Sequence, residues 1–135
     1  MTKLVYSLVN YFEKYPERMN GPLIRKIHGG MGSFQWWYAV ETGKIKSFER
    51  TGVIREKIRH GMEPDDAPYN ACVVESEQGE IWELGFEVDK PEYYKLFQVG
   101  THVRAKKIRV ELNTFRIPFL LHDYIDRTSE IWILD

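Results

Sequence analysis

The sequence is poor in the residues that usually announce a chemistry. It has one cysteine, Cys72, so no intramolecular disulfide can form, and a reducing compartment is expected ahead of secretion. Cys72 sits in the apolar run Ala71-Cys72-Val73-Val74, the setting of a buried, inert thiol. A nucleophile would need a depressed pKa and access, and nothing in the run provides either. No segment approaches the ~18 consecutive apolar residues of a membrane-spanning helix. The N-terminus does not read as a signal peptide, because Ser7, Asn10, Glu13 and Lys14 interrupt it and no small-residue cleavage site follows. A cytoplasmic protein is expected by elimination.

Recognisable sites are equally scarce. The histidines are His28, His60, His102 and His122, and no two share an i, i+4 or His-x-His spacing. A transition metal needs three or four converging ligands, so neither metal nor cofactor is expected. Gly29-Gly30-Met31-Gly32 lacks the Lys-Ser/Thr of a P-loop and reads as the turn that opens a strand. No Gly-x-Ser-x-Gly elbow, Cys–His pair at a known spacing or kinase-like signature occurs. Internal repeats and low-complexity stretches are absent too.

What is present is ordinary globular composition with an aromatic surplus. The 135 residues are 43% hydrophobic and 29% charged, which excludes disorder and suits one domain with one core. Aromatics reach 14%, with 4 Trp, 8 Tyr and 7 Phe, which favours strands because flat side chains pack well on a pleated surface.

Periodicity predicts an N-terminal helix over 3–15. Leu4, Val5, Leu8, Val9 and Phe12 form one stripe of a 3.6-residue period, Thr2 is a candidate cap, and Pro16 stops the run. A β-rich body is expected over 23–135. Ser33 to Val40, including Trp36-Trp37, is strand-like in composition, and Ile45 to His60 reads as extended with a bulge or bend at Thr51-Gly52. The clearest signal is a hairpin. Tyr69 to Glu75 pairs with Glu80 to Val88, where Trp82, Leu84, Phe86 and Val88 alternate with Ile81, Glu83, Gly85 and Glu87. Asp89 and Pro91 then predict a short helix near 90–97, capped by Asp89, and the greasy Ile131-Trp132-Ile133-Leu134 must be tucked into a sheet or shared with a partner. The fold class is therefore mainly β (α+β), a small curled antiparallel sheet or a barrel. Hairpin, short helix and the Val99-Gly100-Thr101-His102-Val103 strand together resemble small OB-like or SH3-like barrels, a resemblance of architecture that implies no activity.

The near-neutral net charge of −1 hides a sorting along the chain. Residues 1–60 carry a net +6, residues 61–100 a net −8, and residues 101–135 a net +1. Arg55, Lys57 and Arg59 alternate along one expected strand, which puts three cations on one face and Ile54 and Ile58 on the other. Arg104 and Lys106 alternate on a later one. With Trp36, Trp37 or Tyr38 exposed nearby, such a sheet suits single-stranded nucleic acid, whose phosphates track cations and whose bases stack on aromatics. The competing account is a solvated face whose charges pair locally, and a pI of about 6.4 weighs against a dedicated nucleic-acid binder.

Three functions are compatible with these residues. The first is a non-catalytic interaction or regulatory domain that binds another protein, or a second copy of itself, through a charged, aromatic-rich surface. The second is the nucleic-acid-binding barrel just described. The third is an enzyme whose groups converge only in three dimensions, for instance His60 or His122 with Asp65, Asp66 or Asp123. The first is the expectation, because polarised charge is present and catalytic motifs are not.

Overall fold

The chain begins in a strand where its periodicity predicts a helix. The computed structural model describes residues 2–19, 24–61, 66–112 and 124–134. Within them run β1 (Lys3–Ser7), α1 (Leu8–Lys14), a 3-10 turn (Pro16–Arg18), α2 (Phe34–Glu41), β2 (Ser47–Ile58), β3 (Ala71–Glu75), β4 (Ile81–Gly85), a second 3-10 segment (Pro91–Leu96), β5 (His102–Glu111) and β6 (Tyr124–Leu134). The strands form one mostly antiparallel sheet in the order β1-β6-β5-β2-β3-β4. The expected small antiparallel sheet is thus present, and among the described residues it is not closed into a barrel, with β1 and β4 as its edges.

The residues pack as two compact units. The first comprises Met1–Ser7, Glu49–Ala105 and Glu130–Asp135, the second Leu8–Phe48 and Lys106–Ser129. Strands β2, β5 and β6 each contribute residues to both.

In the first unit, β1 pairs with the end of β6, Leu4 opposite Trp132 and Tyr6 opposite Ile131. This overturns the first half of the predicted helix. Three successive strand-formers, Leu4-Val5-Tyr6, bury Val5 and Tyr6 when a partner strand is available, and the greasy C-terminal run is that partner. The β3–β4 hairpin matches its expectation, with Trp82 and Leu84 buried while Ile81 and Glu83 face out. Its turn closes through Ser76 N–H to the Glu80 carbonyl at 2.9 Å, with Gly79 at φ 85°. The predicted Asp89 cap is not made. Lys90 occupies the N-cap without a side-chain bond, and Asp89 Oδ1 instead accepts the Ser7 N–H at 3.2 Å.

The expected break at Gly52 takes another form. β2 runs straight through it, and the register slips between Ile54 and Glu56 instead, leaving Arg55 as the extra residue of a bulge. Gly52 has a different reason to be glycine. A Cβ there would lie 2.6 Å from the Glu75 carbonyl oxygen and 2.7 Å from Val74 Cγ1, so the two strands approach each other across it.

The second unit is built around Leu8, Phe12, Met31, Trp36, Val40, Ile108 and Val110. The segment with strand-like composition is a helix, α2, and its burial explains why. Trp36, Ala39 and Val40 sit at i, i+3 and i+4 and are buried together, a spacing only a helix delivers. Ser33 caps it by accepting the Trp36 N–H at 3.3 Å, and Gly43, at φ 81°, follows its C-cap. The glycine run therefore leads into a helix, not a strand. Within it Gly32, at φ 88°, faces the core so closely that a Cβ would meet the Phe12 ring at 2.8 Å.

Candidate protein-binding surfaces

The expected basic face does not assemble as its alternation implies. The bulge at Arg55 reverses the parity of β2, so Lys57 stands opposite Cys72 and shares a face with Ile54, while Ile58 stands opposite Ala71 on the other. Arg55 is exposed and pairs with Glu75 at 3.4 Å. Lys57 Nζ donates to Gln98 Oε1 at 3.1 Å. Arg59 donates to the Ala67 carbonyl and lies 4.3 Å from the Tyr69 ring centroid. Arg104 covers the Trp132 ring at 5.2 Å. These four belong to the first unit. Lys106 belongs to the second, where its carbonyl accepts the Ser129 hydroxyl at 3.3 Å. Trp36 and Trp37 are not an exposed strand pair. They meet edge to face at 4.7 Å on α2, with Trp36 only 5% exposed.

Of the titratable groups weighed for catalysis, His60 and Asp66 are among the described residues. His60 Nε2 lies 2.6 Å from Glu83 Oε2, and the His60 N–H donates to Asn70 Oδ1 at 2.6 Å. Asp66 is exposed, while Asp65, His122 and Asp123 lie outside the described residues. Among the described residues no group of His, Cys, Asp and Glu could hold a metal ion. Burial pushes the Cys72 thiol up to about 12, which keeps it protonated and unreactive.

What the structure does present is concave surface floored by apolar groups and edged by cations. The first unit has a hollow of about 710 Å³ between Tyr69, Phe86, Tyr94 and Phe97, with Lys57 and Lys95 on its lining. Phe86 and Phe97 stack at 4.7 Å as its floor. Asn70 anchors one wall, since its side-chain amide donates to the His60 carbonyl at 3.1 Å and its own carbonyl accepts the Phe86 N–H at 2.8 Å.

The second unit has two adjoining hollows. One, about 240 Å³, lies between Ile24, Ile27, Trp36 and Ile45, with Arg25, Lys44, Lys46 and Arg109 around it. The other, about 230 Å³, is lined by Phe34, Gln35, Tyr38 and Ala39. His28 and Lys44 line both. Two of the cations are neutralised in place. Arg25 pairs with Glu111 at 3.6 Å, and Arg109 forks onto Asp126 at 3.1 and 3.4 Å beneath the Tyr124 ring. Lys44 and Lys46 have no carboxylate partner among the described residues. Sequence reasoning missed Ile27, Phe34, Tyr69 and Tyr94, and took Tyr38 as a residue of a strand. A helical reading of Ser33–Val40 would have placed Phe34 and Tyr38 together on its outer side.

Open aromatic hollows edged by cations are the surface chemistry that protein partners are recognised by. The comparison with known families narrows this further. The family model described as Immunity protein RhsI2 matches residues 2–118, most of the chain, and the chain belongs to that family. No curated protein matches it. Membership of an immunity family supports a function exercised by binding another protein, consistent with non-catalytic interaction. It lends nothing to nucleic-acid binding or to self-association.

Proposed function

We propose that the protein neutralises a cognate protein toxin by binding it in equimolar amount, with no chemistry of its own. The observation that carries this reading is the family match over residues 2–118. The surface supports it. Aromatic side chains stand in open hollows on both units, and aromatics with Arg are what protein interfaces enrich. Neutralisation is read as cytoplasmic, a compartment that a lone buried thiol suits.

Immunity implies that the cell which needs the protein is exposed to the toxin, so candidate toxins are sought in the same genome. Each is induced in a sensitive host with and without this protein. One toxin should lose its lethality, and the purified pair should co-elute as an equimolar complex. Protection at amounts far below the toxin's own would indicate turnover and refute stoichiometric binding.

A further inference from the structure

The two adjoining hollows of the second unit form one surface, and its exposed groups carry an energetic cost that packing does not explain. Phe34 is 83% exposed, the most of any large apolar side chain among the described residues, and Tyr38, one turn later on α2, is 56% exposed. Ile27 stands beside them, half exposed, on the lining of the neighbouring hollow. None of the three is needed for the core, which α2 serves through Trp36, Ala39 and Val40. Phe34 and Tyr38 are held on a helix that is hydrogen-bonded at both ends. Ser33 caps the helix at one end, and the Thr42 hydroxyl closes the other on the Tyr38 carbonyl at 2.9 Å. Preordered aromatics on a short, fixed helix lose little freedom on binding, which is the condition for a hot spot.

Charge says what the partner must carry. Over its described residues the second unit has ten Lys and Arg against five Asp and Glu, whereas the first has eight against eleven. Glu111 on the lining is engaged by Arg25, and Asp126 by Arg109, whereas Lys44 between the two hollows and Lys46 beside it have no carboxylate partner among the described residues. A cation without a partner next to apolar surface calls for an incoming carboxylate, because the pair strengthens as water is displaced.

We propose that this face, Ile27, Phe34 and Tyr38 with Lys44 and Lys46, is where the toxin docks, and that the docking segment carries an apolar side chain flanked by aspartate or glutamate. The assignment rests on the toxin-binding reading above and adds the location and the chemistry of the contact.

Two arms test it. In the first, the toxin that the wild-type protein neutralises is titrated with Phe34→Ala, Tyr38→Ala and Lys44→Glu, and with Tyr69→Ala and Lys95→Glu at the first unit's hollow as controls. Each variant is first checked for unchanged thermal unfolding. The α2-face variants should weaken binding at least tenfold, Lys44→Glu most at low salt, with the controls within twofold. Equal loss in both sets, or no loss at the α2 face, overturns the proposal. Retained toxin binding with loss of oligo-dT binding would assign the face to nucleic acid and overturn it too. The second arm needs no toxin. An acidic peptide, Glu-Asp-Trp-Glu-Asp, is added to the ¹⁵N-labelled protein, and amide shifts should concentrate at residues 25–28 and 34–46 and vanish in Lys44→Glu. If no toxin is ever neutralised, the functional reading falls while this arm still decides the surface. Shifts absent or centred on Tyr69 and Tyr94 overturn it.

Discussion

Replacing Gly52 by alanine tests the packing of β2 against β3 with a single methyl group. The added Cβ would fall 2.6 Å from the Glu75 carbonyl oxygen, 2.9 Å from the Glu75 carbonyl carbon and 2.7 Å from Val74 Cγ1. Ordinary carbon contacts sit near 3.5–4.0 Å, so the overlap approaches an ångström. Two of the three atoms are backbone, and a side-chain rotation cannot relieve them. The strands must part locally, at a cost of about 1–3 kcal/mol for overpacking of this kind. For a chain of this length that corresponds to roughly 3–12 °C in Tm. The internal control is Gly85→Ala on β4, where nothing lies within 4 Å of the added carbon and the backbone is not left-handed. There the alanine restricts the unfolded chain and should add about 0.4–1 kcal/mol. Urea titration of both variants reads the difference, as opposite shifts in midpoint at a constant m-value. A Gly52→Ala midpoint within error of wild type would show that the strands do not approach each other as described, and the account of β2 would fall.

Four further outcomes follow from single residues. Leu84, fully buried on β4, should cost about 2–5 kcal/mol on truncation to alanine, read by the same titration. Ser33→Ala removes the acceptor of the Trp36 N–H and should cost about 1 kcal/mol, whereas Ser33→Asp should hold stability near wild type. Gly43 has open space around it but stands at φ 81°, so Gly43→Ala should destabilise by about 1 kcal/mol through backbone strain alone, and Gly43→Asn by less. Burial pushes the Cys72 thiol up from 9.0 in the open chain to about 12 in the fold. The folded state therefore holds the proton that the unfolded state loses, stability declines as pH rises between those values, and Cys72→Ala should flatten that decline. The native thiol should also resist aromatic disulfide reagents at pH 8 until denaturant is added.

How much of this was legible in the residues depends on which force decides each element. The β3–β4 hairpin was readable because one face is buried and the other is wet, so Trp82 and Leu84 alternate with Ile81 and Glu83 in the sequence itself. Leu4 to Phe12 misleads because its stripe satisfies a helical period throughout. What decides the first half is a partner strand more than a hundred residues away, and no local window contains it. Ser33 to Val40 misleads in the other sense. Its aromatics suggest a strand, yet Trp36, Ala39 and Val40 bury on one side only if the segment coils. The basic stripe on β2 fails for a smaller reason. One unpaired residue at Arg55 exchanges the faces of everything after it, and nothing in Val53-Ile54-Arg55-Glu56 marks a bulge.

The sorting of charge along the chain was visible from the start, and the fold changes what it means. In sequence it reads as a basic first half, an acidic middle and a nearly neutral end. In the structure the acidic hairpin shares a unit with Arg55, Lys57 and Arg59, and their charges are partly met there, Arg55 by Glu75 directly. Lys44 and Lys46, which have no carboxylate partner among the described residues, lie just before β2 in the other unit, with Lys106, Lys107 and Arg109 of β5. Of the three cations that alternate in sequence, Arg55 is thus already met by a carboxylate, while two lysines with no obvious pattern stand in the unit where bases outnumber acids. Periodicity along a strand says which side a charge faces, but only the fold says whether an opposite charge is already there. A surface left basic after its internal pairs are formed still has electrostatic attraction to offer a toxin, and attraction already satisfied within the chain would not change on binding.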